Sequence, residues 1–163
     1  MITYVSGNLF ESPAKVLVNT VNTEGVMGKG IALEFKNIYP EMFKEYRALC
    51  ERGKLTIGSL HLYKTPHKWI LNFPTKKSWR QPSRVEYIEQ GLRTLLKIYG
   101  EVGITSLAMP PLGCGNGQLD YESQVKPLVE KYLGKLSLPT FIYQGRPAAG
   151  PAVTVQGFKR RWE

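Results

Sequence analysis

The chain has 163 residues, of which 42% are hydrophobic and 21% charged, as is typical of one globular domain with its own core. Two cysteines are too few for a disulfide framework, and no apolar run approaches the ~20 residues that span a bilayer. The 22 Lys and Arg residues outnumber 13 Asp and Glu, and this net charge of +9 favours nucleic acid as a partner, although a solvated basic surface has the same composition.

The pattern along the chain alternates strands with helices. In chain order it predicts strands over 2–6 and 15–19, helices over 31–37 and 41–52, paired strands over 58–63 and 68–73, a helix opened by 81–83 that runs to about 99, a strand over 104–109, a helical segment over 120–133 kinked or restarted at Pro127, and a strand over 138–143. This alternation predicts a three-layer α/β/α domain with a mixed central sheet.

Two of the predicted strands lead into glycine-rich loops. The first loop carries Gly25, Gly28 and Gly30 ahead of a helix, and the second is 113–117. Glycines there let backbone N–H groups approach a phosphate closely, although each loop alone is as readily an ordinary tight turn. The spacing fits neither a P-loop nor G-x-G-x-x-G. Because ligands bind beyond the carboxyl ends of strands in such sheets, the pair of loops predicts a shared diphosphate-like ligand.

These segments together resemble the macrodomain family of ADP-ribose-binding modules. The likeness covers nearly the whole chain and rests on GNL (7–9), VLVNTVN (16–22), GVMGKGIA (25–32) and PPLGCGNGQLDY (110–121). With NFPTK (72–76), the chain is most similar to the branch with a lysine in the site, which includes a protein ADP-ribosyl glycohydrolase and the DarG-type antitoxins that act on DNA. The resemblance implies a macrodomain over 1–155, and 144–163 is expected to be a C-terminal extension or the start of a linker to a further region.

The resemblance also implies the ligand site. The expected ADP-ribose-binding residues are Asn8, Leu9, Thr20, Val21, Asn22, Gly28, Lys29, Gly30, Ile31, Thr75, Gly113, Cys114, Gly115, Asn116 and Gly117. Asn22 is expected to hydrogen-bond the distal ribose. Asn8 stands where the family commonly has an aspartate that accepts a hydrogen bond from adenine, and an amide oxygen can accept the same bond. No cofactor and no metal are expected, since metal-ligand spacing is absent from the sequence.

Lys76 is the residue on which the prediction of enzymatic activity depends. It follows a strand and lies near Lys77, Arg80 and Arg84, whose charges would disfavour its protonated form, and an unprotonated lysine can act as a nucleophile. In the lysine branch the matching residue acts on the anomeric carbon of the distal ribose. The alternatives are an ordinary surface lysine and an assignment to the adjacent Lys77. The aspartate of the branch's protein hydrolase aligns with Gly117, which argues against a carboxylate-assisted protein hydrolase.

Two other side chains near the second loop have structural interpretations. Asp120 precedes a helical segment, so it is expected to cap that helix. Cys114 has no histidine nearby in the sequence, so it is expected to pack the loop rather than act as a nucleophile.

Basic and aromatic residues alternate between residues 64 and 84, a pattern that favours a single DNA strand. The predicted DNA contacts are Lys77, Trp79, Arg80 and Arg84, with Trp79 stacking on a base and Trp69 packed in its strand. Together with the resemblance, this pattern predicts a monomeric glycohydrolase that removes ADP-ribose from thymidine, and a toxin is expected as a further partner.

Residues 1–10 lack a signal-peptide pattern, so a cytoplasmic location without membrane association is expected. The alternatives are a non-catalytic ADP-ribose reader and a hydrolase of ADP-ribosylated protein or O-acetyl-ADP-ribose.

Overall fold

The computed structural model describes residues 1–145, and six strands in this part of the chain form one sheet. They are β1 (Ile2–Val5), β2 (Val16–Asn22), β3 (His61–Lys64), β4 (Trp69–Lys76), β5 (Leu107–Met109) and β6 (Thr140–Tyr143). Their spatial order is β1–β6–β5–β2–β4–β3. Only β3 runs antiparallel to its neighbour, so the predicted mixed sheet is confirmed.

Helices cover both faces of the sheet. In the described residues they are α1 (Gly30–Ile38), α2 (Pro40–Glu51), α3 (Val85–Val102) and α4 (Lys126–Leu133). Successive residues of a strand face opposite sides. Along β2, Val16 and Val18 therefore join a core with α3 and α4, while Leu17 joins a second core with α1 and α2. The three-layer prediction is confirmed.

Strand β4 is longer than the sequence predicts, because it continues through Pro74 and Thr75 to Lys76. Proline interrupts a sheet when its missing N–H would face a paired neighbour. Here β3 pairs with β4 only as far as Asn72, so one side of β4 is open beyond that residue. On the other side the β2–β4 register shifts between Val21 and Asn22.

The helical segment predicted over 120–133 is confirmed with its restart. A wide helical turn over Tyr121–Val125 leads directly into α4, whose first turn holds Pro127. Asp120 caps this turn by accepting a hydrogen bond from the N–H of Ser123 (2.9 Å), as predicted.

Helix α3 packs tightly on β4. A Cβ atom added to Gly91 would lie 2.3 Å from Cζ of Phe73, so a larger residue at this position would displace the buried Phe73 ring. Because α3 and β4 are pressed together, the segment that joins them (77–84) is held close to the carboxyl end of the sheet.

The five parallel strands all end at the same edge of the sheet, and this edge carries the segments that the sequence singled out. β2 leads into the first glycine loop, β5 leads into the second, and β4 ends at Lys76. No helix of the described part is long and apolar enough to cross a membrane. The expected extension at 144–163 lies outside the described residues except for Gln144 and Gly145, and the end of the expected domain at 155 lies outside them as well.

Candidate functional site

A cleft of about 860 Å³ opens at this edge, a volume typical of small-molecule and cofactor sites. The predicted residues that line it are Thr20, Val21, Asn22, Gly28, Lys29, Gly30, Ile31, Thr75, Lys76, Gly113, Cys114, Gly115, Asn116 and Gly117. Asn8 and Leu9 line a second cavity of about 170 Å³, which shares Ile31 with the cleft. The structure therefore brings the predicted set together, and which ligand atoms each residue contacts stays a prediction.

The two glycine loops face each other across the cleft. Gly30, Gly113 and Gly115 have φ values of +55°, +73° and +68°, a region that L-residues rarely adopt. A Cβ atom on Gly30 would lie 3.4 Å from Nδ2 of Asn116 in the opposite loop. Since α1 begins at Gly30, its N-terminal backbone N–H groups and its partial positive charge are directed toward this gap, as an anionic ligand requires.

Asn22 organises the first glycine loop. Its Oδ1 accepts hydrogen bonds from the N–H of Glu24 (3.1 Å) and the N–H of Val26 (3.2 Å), and its Nδ2 donates to the Val26 carbonyl (2.8 Å). The buried Tyr46 hydroxyl lies 2.7 Å from the Asn22 carbonyl oxygen. The predicted ribose contact of Asn22 therefore depends on the second hydrogen of its amide group.

Asn8 has a similar local role at the second cavity. Its Oδ1 accepts a hydrogen bond from the N–H of Phe10 (3.1 Å) and so caps a short helical turn over Leu9–Glu11. A carbonyl oxygen has two lone pairs, so one acceptor site is left for the predicted adenine contact. Tyr143 and Glu34 also line this cavity, and neither was predicted from the sequence.

The amine of Lys76 lies between two backbone carbonyls. Its Nζ is 3.3 Å from the carbonyl oxygen of Trp79 and 3.4 Å from that of Asn116. The backbone of Lys76 is fixed as well, because the N–H of Thr23 donates to its carbonyl (3.1 Å). The half-buried side chain thus spans from β4 to the second glycine loop and lies in the cleft.

The pKa of Lys76 is lowered from its ordinary value, first by burial and then by the positive charge of Lys29 in the first glycine loop. Proximity in the sequence predicts that Lys77, Arg80 and Arg84 lower this pKa, and that prediction is wrong. Lys77 is exposed and its Nζ lies over the Tyr87 ring (5.6 Å), outside the cleft. The position of the two amines favours Lys76 over Lys77 as the reactive one.

Acidic groups are absent from the described lining of the cleft, which also holds no histidine. Glu24 is exposed and lies outside it, and Asp120 serves as a helix cap. Burial, followed by the charge of Asp120, raises the pKa of the Cys114 thiol to about 11, so the thiol is protonated at neutral pH and a poor nucleophile. Lys76 is thus the side chain of the cleft best suited to covalent chemistry.

The basic strip predicted between residues 64 and 84 is divided in two by the fold. Lys64 pairs with Trp69 at the start of β4, whereas Lys76 is the last residue of that strand. At about 3.3 Å per residue, the two ends of the strand lie about 23 Å apart. Half-buried Trp69 packs on the core, as predicted, while Trp79 lines the cleft and is 44% exposed. Only the part of the strip that follows Lys76 adjoins the site.

Val26, the first residue of the segment 26–31 that is expected to hold the diphosphate, also lines the cleft. Several other lining residues were not predicted individually as ligand-binding residues. They are Ala32, Pro110, Pro111, Gln118, Gln144 and Gly145. Gln118 has φ +67°, and among the described residues no other non-glycine residue has a positive φ. The signal that could have found most of them is position, since they flank the two loops or follow the end of β6.

The fold and the site define a macrodomain. The Macro domain family matches residues 18–127, and the chain belongs to this family. Within the family, the chain is especially similar to proteins named DNA ADP-ribosyl glycohydrolase. The DNA ADP-ribosyl glycohydrolase of Mycobacterium tuberculosis is 45% identical over 166 aligned residues, which cover 99% of this chain and 47% of that protein. The enzyme of the same name from Thermus aquaticus is 45% identical, with 88% of this chain and 41% of that protein covered.

The solved structures agree with the sequence comparison. The macrodomain of Thermus aquaticus DarG matches with a TM-score of 0.83 and 46% identity, covering 88% of this chain and 98% of that one. Thermosipho africanus DarTG in complex with ADP-ribose matches with a TM-score of 0.83 and 38% identity, covering 94% of this chain and 44% of that one. The expected resemblance to DarG-type macrodomains is confirmed. The chain spans about half the length of the curated relatives it matches.

Proposed function

We propose that this chain is a DNA ADP-ribosyl glycohydrolase that removes ADP-ribose from a thymidine base in single-stranded DNA. The observation that carries the proposal is the amine of Lys76, which lies in the cleft between the two glycine loops at 3.4 Å from the carbonyl oxygen of Asn116. The two loops offer backbone N–H groups for a diphosphate, and the lysine lies beside the same gap. The names of the relatives that are 45% identical to this chain support the same activity.

In this proposal Lys76 acts as the nucleophile. Its neutral amine forms a bond to the anomeric carbon of the distal ribose, and the bond from that carbon to the thymine ring nitrogen breaks. The departing base takes the electron pair of the broken bond and the proton that the amine loses. Water then displaces the lysine and releases ADP-ribose. The lowered pKa of Lys76 favours the first step, since only an unprotonated amine has a free electron pair.

The DNA strand is proposed to run along the segment after β4. Trp79 is exposed beside Lys76, and the Arg80 guanidinium lies 4.9 Å from the centre of the indole ring. A base stacked on the indole would gain roughly 1–3 kcal/mol, and nearby cations would contact the phosphates. Lys77, Arg80 and Arg84 are all exposed and suited to that role.

The biological role in this proposal is that of an antitoxin. A relative from Thermosipho africanus is named as a fusion of a DNA ADP-ribosyl transferase with a DNA ADP-ribosyl glycohydrolase, which supports a DarT-like toxin as the partner whose modification this chain reverses. We propose that the chain acts in the cytoplasm and as a monomer.

The second candidate function is that of a reader, which binds ADP-ribose without cleaving it. The observation that favours it is the lack of a carboxylate in the described lining of the cleft, since glycosidases usually employ two. The test is a parallel incubation of the chain with an ADP-ribosylated DNA oligonucleotide, an ADP-ribosylated protein and O-acetyl-ADP-ribose, with released ADP-ribose measured. We expect release from the DNA alone. Binding without release from any substrate would favour the reader, and release from protein would overturn the choice of DNA.

A further inference from the structure

Ser83 is a buried polar residue just before α3, only 5% exposed, and it lies behind the cleft rather than in its lining. Its hydroxyl donates a hydrogen bond to the carbonyl of Thr75 (2.5 Å), and its N–H donates to the carbonyl of Gly117 (2.8 Å). Thr75 directly precedes Lys76, and Gly117 ends the second glycine loop. One residue therefore ties the end of β4 to the loop that faces the ligand gap.

The contact between Ser83 and the second glycine loop is too close for other side chains. A Cβ atom on Gly113 would lie 3.0 Å from Oγ of Ser83, and one on Gly117 would lie 3.1 Å from its Cβ. Contacts of this length are tighter than packed atoms normally allow, so the loop needs glycine at both positions in order to reach Ser83. The glycines thus serve the approach of the loop to Ser83 as well as the approach of a ligand.

The amine of Lys76 depends on the segments that Ser83 holds. Its two acceptors are the carbonyl of Asn116, within the second loop, and the carbonyl of Trp79, in the segment that ends at Ser83. At 3.3 and 3.4 Å both contacts are near the upper limit for a hydrogen bond, so a small displacement of either segment would break them. The same displacement would admit water to the half-buried amine.

We propose that Ser83 is a positioning residue that holds Lys76 and the second glycine loop in their relative places across the cleft. This inference rests on the proposed function, because it gives Ser83 a part in the reactivity of the lysine. Loss of the Ser83 hydroxyl leaves the buried Thr75 carbonyl without that donor and loosens the end of β4. Lys76 then becomes better hydrated, and its neutral form becomes scarcer at neutral pH.

The test compares Ser83→Ala with Thr94→Val, a matched control. Thr94 lies on α3, the helix that follows Ser83, and its hydroxyl also donates to a backbone carbonyl, that of Gly58 (2.5 Å), but the residue is not part of the cleft. Acetylation of Lys76 is followed by mass spectrometry as a function of pH. Single-turnover release of ADP-ribose from modified DNA is measured across the same range.

We expect Ser83→Ala to move the pH midpoint of Lys76 acetylation upward and to lower kcat at neutral pH by about 10-fold to 100-fold. The loss in kcat should shrink as the pH rises, because a larger share of the amine is then neutral in both proteins. KM should change much less than kcat. Thr94→Val should behave as the unaltered chain. Ser83→Cys should be intermediate, because a thiol of similar size is a weaker donor.

The acetylation measurement separates this inference from the proposed function. If the unaltered chain releases no ADP-ribose from DNA, the proposed function fails, but the pH midpoint of Lys76 still reports on the role of Ser83. An unchanged midpoint in a folded Ser83→Ala variant overturns the inference, and so does an equal shift in Thr94→Val. If Ser83→Ala does not fold, the same two comparisons with Ser83→Cys decide the matter.

Discussion

Replacement of Lys76 by alanine tests the proposed chemistry directly. The change removes the cleft amine but none of the backbone that forms the glycine loops, so ADP-ribose should still bind. A positioned covalent or acid–base group contributes typically 10²–10⁴-fold to the rate. At 1.36 kcal/mol per tenfold change, this is about 2.7–5.4 kcal/mol of transition-state stabilisation. The fold should be little affected, because the amine makes only two long contacts, at 3.3 and 3.4 Å.

Two companion variants locate the effect. Lys76→Arg should be nearly as inactive as Lys76→Ala, because a guanidinium stays protonated and cannot act as a nucleophile. Lys77→Ala should keep most of the turnover and lose some affinity for DNA, because the Lys77 amine lies over the Tyr87 ring and outside the cleft. The assay is single-turnover release of ADP-ribose from a modified oligonucleotide, with calorimetric titration of ADP-ribose as the control for binding.

The pH dependence of turnover follows from the pKa of Lys76. Burial and the charge of Lys29 lower this pKa, so the neutral amine is present at lower pH than for an ordinary lysine. Turnover should rise with pH and level off above the lowered pKa.

An active Lys76→Ala would refute the mechanism, and an active Lys76→Arg would reduce the lysine to a fixed positive charge. An inactive Lys77→Ala beside an active Lys76→Ala would move the assignment by one residue.

Three further predictions concern the ligand, the DNA and the fold. Gly30→Val should abolish ADP-ribose binding in calorimetric titration, because a side chain there points across the gap at Asn116. The chain should stay folded, because φ +55° costs an L-residue only about 1–2 kcal/mol. Affinity for modified DNA should fall steeply with salt, while affinity for free ADP-ribose changes little; equal salt slopes would reduce the basic segment to a solvated surface. In denaturant unfolding, Gly91→Ala should lose about 1–3 kcal/mol of stability, because the new Cβ meets Phe73 at 2.3 Å. Gly100→Ala on the same helix meets nothing within 4 Å and should gain up to about 1 kcal/mol, so a loss of similar size in both variants would contradict the packing argument.

The sequence predicts the fold well where a local pattern determines it. The consecutive apolar residues Val16, Leu17 and Val18 of β2 face the two cores in turn, and the glycine loops follow β2 and β5 as expected. The length of β4 could not be predicted in this way. Whether Pro74 fits in a strand depends on how far β3 pairs with β4, and no local feature of the chain specifies that register.

The site shows the same limit at the level of charge. Sequence proximity points to Lys77, Arg80 and Arg84 as the groups that act on Lys76. The charged group that lowers its pKa is instead Lys29, which the fold brings across the cleft from the first glycine loop. Likewise, Lys64 and Lys76 belong to one basic strip of the sequence, but Lys64 in β3 pairs with the first residue of β4 and Lys76 is the last residue of that strand. Spacing along a chain identifies the residue types of a site, but distances between its charges depend on the topology of the sheet.

The lack of acidic side chains in the described lining of the cleft is consistent with a lysine nucleophile. A carboxylate beside Lys76 would stabilise the ammonium form and raise its pKa, which would make the neutral amine scarcer. The acceptors that the fold does provide are uncharged carbonyls at 3.3 and 3.4 Å, which orient the amine without a full negative charge. Lys29 and partial burial act in the opposite sense to these carbonyls and lower the pKa. Lys29, a cation of the first glycine loop that would attract a diphosphate, therefore also favours the neutral amine, so diphosphate binding and nucleophile activation depend on the same positive charge.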